Sequence, residues 1–176
     1  MSQYVLVRDH PMKTIRIEKV VVNMAVGESG EKLAKAAKVL EQITGQKPKL
    51  IKAKKTIRDF GIRKGENIAC MVTLRKDKAI NFLLKALQTI DYKIKEKSIA
   101  DNYFSFGVPE HIYFPGVKYD PSIGIFGFDV IVVFERPGFR VKRRRRRRNK
   151  VGKKHLVTKK DIIEFLEKIL GVKVVK

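Results

Sequence analysis

The chain has 176 residues, of which 44% are hydrophobic, so we expect a folded domain with an ordinary core rather than a disordered chain. It has 40 lysines and arginines against 18 acidic residues, and the net charge of +22 favours a polyanionic partner such as nucleic acid. The longest apolar runs, at residues 68–72 and 130–134, are too short to cross a membrane, and one cysteine excludes an internal disulfide and a cysteine-based zinc cluster. Because residues 1–9 hold no apolar stretch suited to a signal peptide, we expect a cytoplasmic protein.

The first third of the chain predicts a strand followed by a helix. After an irregular segment that ends at Pro11, alternating and then continuous apolar residues predict a β-strand over residues 15–26. Ser29 is the predicted N-cap of a helix, Glu31 lies in its first turn, and Gly45 is the predicted terminator.

The middle of the chain predicts two further strands, a second helix and a long loop. Short strands are predicted over residues 49–53 and 68–74, on either side of a basic loop that contains glycines. Asp77 is the predicted cap of the second helix. Residues 91–122 show no sustained period, and a strand with a bulge or bend at its glycines is predicted over residues 123–135.

The last elements complete a fold prediction for residues 1–176 as one domain. A basic arm at residues 136–154 precedes a C-terminal helix at residues 158–170, for which Thr158 and Asp161 form a capping-box pattern. The order β-α-β-β-α, long loop, β and helix predicts an α+β fold of the split βαβ type, in which helices cover one face of an antiparallel sheet. The other face would then be free to bind a partner.

Most of the positive charge lies in two segments. Residues 136–154 contain 12 basic residues and no acid, and residues 47–64 contain 8 basic residues and one acid. Six adjacent arginines repel each other, and guanidinium groups suit forked contacts with phosphate, so we predict a polyanion ligand. The alternatives are a nuclear-localisation patch, a solvated tail or a membrane-surface patch. The arginine run lacks the interleaved apolar residues of an interfacial helix, so no membrane partner is predicted.

Residues suited to catalysis or metal binding are few. His10, His111 and His155 are scattered and are more typical of surface or RNA-adjacent histidines than of metal ligands. Cys70 lies in an apolar strand and favours a buried, inert thiol. The glycine-containing turn at residues 27–32 lacks the spacing of a phosphate-binding loop. We therefore predict no enzymatic activity, no cofactor and no metal.

Six aromatic residues lie in the long loop, where they could stack on bases or pack onto the sheet. The two prolines that interrupt them favour packing. They are Tyr103, Phe104, Phe106, Tyr113, Phe114 and Tyr119.

Several short sequences occur in a characteristic order. They are VVNMAVGE (21–28), ITGQKP (43–48), KAKK (52–55), FGIRKG (60–65), VTLR (72–75), FSFG (104–107), EHI (110–112), FPG (114–116), YD (119–120) and FGFD (126–129). As a set they closely resemble the universal large-subunit ribosomal protein five family, the 5S-rRNA-binding protein of the central protuberance. ERPG (135–138), the arginines and the final helix are similar to the archaeal and eukaryotic branch.

The resemblance implies a structural constituent of the large ribosomal subunit, ribosome-bound, with a concave sheet face that holds a 5S rRNA stem-loop. It also implies contacts with 23S-type rRNA, P-site tRNA, neighbouring large-subunit proteins and a small-subunit protein across the intersubunit bridge. The 5S-binding positions that carry over are Asn23, Gln46, Lys47 and Thr73. A free-standing basic protein that binds any RNA electrostatically is the alternative function.

The resemblance gives a role to the basic loop, whereas the arginine arm is predicted from its charge to neutralise neighbouring rRNA phosphates. The tRNA-facing loop contributes Lys54, Lys55, Arg58, Arg63 and Lys64. The predicted rRNA phosphate contacts are Arg136, Arg140, Lys142, Arg143, Arg144, Arg145, Arg146, Arg147 and Arg148. The chain has Ala25 and Ala69 where the family usually has glycine, and Lys76 where it often does, which removes freedom at positive φ.

Overall fold

The computed structural model describes residues 4–6, 10–117 and 120–175. Within these ranges the strands are β1 (Val5–Leu6), β2 (Ile15–Ala25), β3 (Lys49–Lys52), β4 (Asn67–Leu74), β5 (Lys93–Lys95), β6 (Ile99–Ala100), β7 (Tyr103–Val108), β8 (Phe128–Glu135) and β9 (Lys173–Val175). The helices are α1 (Glu31–Thr44), α2 (Lys76–Thr89), α3 (Arg140–Arg143) and α4 (Lys159–Leu170).

An antiparallel sheet forms the centre of the described part of the protein. Its strand order is β3-β4-β2-β8-β7-β6, and β1 pairs with the first residues of β2. The short strands β3 and β6 are therefore at its two edges. The pairing of β2 with β8 slips at a bulge between Ile17 and Lys19. A separate parallel pair joins β5 to β9.

The helices cover one face of this sheet. Val20, Val22 and Met24 of β2 are fully buried in a core to which α1, α2 and α4 contribute their apolar faces. Each helix has apolar residues at helical spacing, so each buries one stripe and leaves a polar side in solvent. The predicted fold class, an α+β fold with an antiparallel sheet and helices on one face, is confirmed. No helix in the described part of the chain is long and apolar enough to cross a bilayer.

Helix α4 begins as predicted at its capping box. The Asp161 backbone N–H donates to Thr158 Oγ1, and the Thr158 backbone N–H donates to the Asp161 carboxylate at 3.0 Å. The helix ends at Gly171, whose φ of 63° lies in the left-handed region. Helix α1 likewise ends at Gly45, with a φ of 62°.

The predicted caps of the other two long helices are wrong by one or two residues. The N-cap of α1 is Gly30 and that of α2 is Arg75, and neither makes a side-chain capping bond. Ser29 instead donates a hydrogen bond of 2.5 Å to Glu66, outside the helix. Asp77 lies within the first turn of α2, where its charge still complements the helix dipole.

The region between α2 and α3 differs most from the prediction. Strand β7 was not predicted, and β8 begins at Phe128, so the five preceding residues are irregular rather than extended. Gly124 has a φ of 88°, which ends any regular strand there. Gly127 passes so close to the 109 segment that a Cβ atom would lie 2.8 Å from the Pro109 carbonyl oxygen.

The phenylalanines and tyrosines of this region differ in how deeply they are buried. Phe104 and Phe114 are buried in the core, as the packing prediction required. Tyr103 and Tyr113 are 44% and 60% exposed, so the prediction fails for them. Tyr119 lies outside the described residues.

Burial shifts the pKa of two side chains, Cys70 and His111. Cys70 is fully buried, as predicted, and burial raises the pKa of its thiol to about 11. His111 is only 3% exposed, so of its two predicted locations, at the surface or next to RNA, the first is wrong. Its Nδ1 accepts a hydrogen bond from the Phe126 backbone N–H at 3.2 Å, and burial lowers its pKa.

The three positions at which the resemblance implies glycine behave differently. Ala25 and Ala69 are directly opposite each other in the β2–β4 pair, in extended strands that accept alanine. Lys76, the first residue of α2, has a φ of 54°. A lysine is therefore held in a backbone conformation that favours glycine.

Replacing Lys76 with glycine is expected to raise the free energy of unfolding by about 0.5–1 kcal/mol, because glycine adopts positive φ without a Cβ clash. Urea denaturation measures the change. Lys85→Gly, an exposed interior position of the same helix, is the matched control and should lower the free energy by about 1 kcal/mol. A similar loss for both variants would contradict the assigned backbone strain.

Candidate nucleic-acid interface

The side of the sheet without helices, called here the open face, presents alternate residues of five strands. One row of consecutive Cα partners crosses it, from β3 at one edge to β7: Lys49, Met71, Asn23, Asp129 and Gly107. Adjacent strands are about 4.8 Å apart, so this row extends roughly 19 Å. The face is therefore broad enough to contact several nucleotides.

Two of the four predicted 5S-binding residues, Asn23 and Thr73, lie on the open face. Asn23 is central on the open face, and Thr73 is one row away, opposite Val21. Gln46 and Lys47 are exposed in the turn between α1 and β3, beside the open face rather than on it. Lys47 also lines a groove between α1 and β3.

Half-buried apolar side chains surround these polar groups. Val21, Ile131 and Val133 lie on the open face, and each remains partly accessible because no helix covers it. Ser105 of β7 adds a hydroxyl opposite Ile131. Neutral donors and acceptors among apolar side chains are suited to sugars and base edges rather than to bare phosphate.

The basic loop, residues 53–66, is an ordered extension of the β3–β4 hairpin. Its base is closed by backbone hydrogen bonds from Ala53 to Glu66 and from Gly65 to Ala53, at 2.7 and 2.9 Å. Further out, Ile57 and Ile62 exchange two backbone hydrogen bonds of 2.9 and 3.1 Å. The Glu66 carboxylate accepts from Ser29 and from the Arg63 backbone N–H, and both bonds lower its pKa.

The predicted tRNA-facing cations are exposed around this loop. None of them forms an ion pair with an acidic residue in the described ranges. They are Lys54, Lys55, Arg58, Arg63 and Lys64. Phe60, at the tip, is 74% exposed and was missed as a site residue. An aromatic residue inside a basic, glycine-containing turn was the available signal.

The arginine arm, residues 136–154, is attached to the body at its start. Arg136 is 9% exposed, and its guanidinium lies 2.7 Å from the Asp161 carboxylate that also caps α4. His155 Nε2 lies 2.8 Å from the Pro137 carbonyl oxygen. Phe139 is buried beside His155, with ring centroids 6.0 Å apart. The two ends of the arm are therefore held together.

A second attachment, called here the clasp, consists of Arg16, Glu18, Arg75, Glu135 and Arg143. The Arg143 guanidinium contacts both carboxylates, with Glu18 at 3.1 Å. Arg16 lies 2.7 Å from Glu135, and Arg75 lies 3.5 Å from Glu18. The Glu18 and Glu135 side chains are only 12% and 8% exposed, so the charge of Arg143 is largely compensated within the protein.

The other predicted phosphate contacts are exposed. They are Arg140, Lys142, Arg144, Arg145, Arg146, Arg147 and Arg148. Arg144 Nε donates to the Arg147 carbonyl oxygen at 2.7 Å, and the Asn149 backbone N–H donates to the Val141 carbonyl oxygen at 3.2 Å. The arm thus folds back on itself and presents its free cations outward.

The two basic segments border opposite ends of the open face. Lys142 and Arg148 of the arm line a depression together with Lys19 and Val133 of the open face. The basic loop extends from the opposite end, where β4 begins at Asn67. A polyanion laid along the strands would meet cations at both ends.

Two family models match the chain. One, described as ribosomal protein L5, matches residues 10–63, and the other, described as the C-terminus of the same ribosomal family, matches residues 67–165. The chain is 57% identical over 174 residues to the large ribosomal subunit protein uL5 of Pyrobaculum aerophilum, with 98% of this chain and 97% of the relative covered. It is 49% identical to the protein of the same name from Nanoarchaeum equitans, with 95% and 99% covered.

Replacing Arg143 with alanine is expected to lower the free energy of unfolding by about 1–3 kcal/mol, because two nearly buried carboxylates lose a shared partner that is itself half exposed. Urea denaturation measures this change in the free energy of unfolding. Arg145→Ala, an exposed neighbour, should stay within about 0.5 kcal/mol of the parent. Equal effects of the two substitutions would show that the clasp contributes nothing to folding.

Proposed function

The chain belongs to the ribosomal protein L5 family, and from this premise we propose that its open face binds 5S rRNA. As a family member it is a structural constituent of the large ribosomal subunit, ribosome-bound in the cytoplasm, and not an enzyme. Association with rRNA and other ribosomal proteins follows from that membership. The observation that carries the 5S proposal is the joint placement of Asn23 and Thr73 on the one sheet face without helices.

The chemistry of the open face supports docking of a folded RNA loop. Asn23 and Thr73 offer donors and acceptors, and the surrounding half-buried apolar side chains suit ribose and base surfaces. Gln46 and Lys47 extend the contact to the β3 edge. The face is built on paired strands, so it is formed before RNA binds.

The arginine arm is proposed to bind phosphates of 23S-type rRNA. Its exposed cations, Arg140, Lys142 and 144–148, are free of ion pairs with described acidic residues and can neutralise phosphate without reading sequence. Arg136 and Arg143 are proposed to fix the arm rather than to bind RNA.

The basic loop is proposed to contact P-site tRNA. Its hairpin hydrogen bonds fix the direction in which it projects, and its cations surround an exposed aromatic ring at the tip. Cations hold a phosphate backbone, and Phe60 can stack on a base or on the outer face of a base pair. A contact with a small-subunit protein is proposed as well, with no residues assigned to it.

One domain is proposed for the chain. The central sheet contains β3 and β4 together with β7 and β8, so it combines strands from both segments matched by the family models. A single cooperative unfolding transition is the behaviour expected of such a unit.

Binding to 5S rRNA and to a scrambled RNA of equal length, over a series of salt concentrations, tests the proposal. Selective binding that survives moderate salt is expected, with a slope of log K against log salt of roughly −4 to −5 if about six phosphates are neutralised. Replacing Arg144–Arg148 by alanine should flatten the slope. Arg143 is kept so that folding is unaffected.

The matched variant for the open face is Asn23→Ala with Thr73→Val. It should lose selectivity for 5S rRNA and keep the salt slope, because it removes no charge. If the unaltered protein binds both RNAs equally and loses both together as salt rises, it is a general electrostatic RNA binder and the 5S proposal is wrong.

Replacing Phe60 with alanine is expected to speed dissociation of P-site tRNA about 5- to 150-fold from ribosomes that carry the variant, since one stacked base contributes about 1–3 kcal/mol. Filter binding measures the rate. Folding should not change, because the side chain is 74% exposed. Tyr113→Ala, an exposed aromatic residue outside the loop, is the control. A rate unchanged from the parent would remove Phe60 from the interface.

A further inference from the structure

A carboxylate occupies the middle of the proposed RNA-binding surface. Asp129 is exposed on the open face and pairs with none of the described cations, although the protein carries a net charge of +22. Its Cα partner on the neighbouring strand is Asn23. A carboxylate here opposes phosphate binding, so its place on this surface requires another partner chemistry.

Two glycines line the surface beside Asp129. Gly107 is opposite Asp129 in β7, and a Cβ atom on it would lie 3.4 Å from the Asp129 Oδ1 atom. Gly127 has no room for a side chain beside Pro109. Together with Asn23 these residues line an open depression of about 480 Å³. The depression is large enough for one planar base and has adjacent amide and carboxylate groups at its wall.

The donor and acceptor pattern selects the base. An ionised carboxylate only accepts hydrogen bonds, and an asparagine amide both donates and accepts. The Watson–Crick edge of guanine presents two adjacent donors, N1–H and the 2-amino group, next to the O6 acceptor. Adenine and cytosine have an amino donor beside an acceptor, and uracil has one imino donor between two acceptors.

We propose that Asp129 and Asn23 bind the Watson–Crick edge of an unpaired guanine in RNA, with the Asp129 carboxylate accepting from N1–H and the 2-amino group and the Asn23 amide donating to O6. The guanine is bound in the depression left by Gly107 and Gly127. This inference rests on the proposed RNA-binding role of the open face and adds base selectivity to it.

Nucleoside monophosphates test the site directly, because all four carry the same phosphate and differ in the base. In ¹⁵N-correlated NMR spectra, GMP is expected to shift the amides of Asn23, Gly107 and Asp129, and UMP is not. Asp129→Asn should abolish the GMP shifts. Equal shifts with all four nucleotides, or GMP shifts confined to the arginine arm, would overturn the proposal.

RNA hairpins with guanine, inosine or adenine at one loop position supply a second readout. Asp129→Asn should weaken binding of the guanine hairpin about 10-fold. Inosine lacks the 2-amino group, so the inosine hairpin should bind the parent protein more weakly than the guanine hairpin does. The two hairpins should bind the Asp129→Asn variant equally well.

Glu41→Gln is the matched control, since it removes an equal charge from an exposed position on α1. It should leave binding unchanged or slightly tighter. If Asp129→Asn tightens binding in the same way, Asp129 only repels RNA and the guanine site is refuted.

If the unaltered protein does not prefer 5S rRNA over scrambled RNA, the 5S proposal is wrong. The GMP titration would still test the guanine site independently. Equal melting temperatures of both variants exclude a folding effect.

Discussion

The alternation of side chains along β2 is the constraint on which the rest of the structure depends. Val20 and Val22 lie under the helices, so Val21 and Asn23 lie on the open face. A shift of one residue in the pairing of β2 would bring the Asn23 amide into the core and expose valines to water. Burial of the even-numbered residues therefore fixes the position of the odd-numbered ones. The function of the open face is set by the packing of the opposite face.

Three nearly buried carboxylates hold two of the arm's arginines in the folded protein, and its other cations remain available to bind RNA. Asp161 holds Arg136, and Glu18 and Glu135 hold Arg143. Glu18 reaches the clasp from the bulge in β2, where the regular alternation of the strand is interrupted. Because these contacts form during folding, part of the entropy cost of ordering the arm is met before any RNA binds.

Elements whose sequence signal is local could be predicted, and those that depend on residues distant in the chain could not. The capping box of α4 and the terminal glycine of α1 depend on residues within one or two turns, and both were predicted. Strand β7 was missed because its inward residues are large aromatics that equally suit a packed loop. The clasp was not predictable, since Arg16 and Glu135 are 119 residues apart in the chain and meet through strand pairing. Similarly, nothing local to Asp129 indicates that Asn23 is its neighbour across the strands.

A sheet covered on one side also has consequences for the protein before it joins a ribosome. The partly accessible apolar side chains of the open face are then in contact with water, and such surfaces promote self-association. The edges of the sheet oppose it, since β6 has two residues and the other edge, β3, carries Lys49 and Lys52. Mutual repulsion between molecules of charge +22 acts in the same direction. The basic residues thus also serve as a solubility device, whose effect weakens as salt screens the charge.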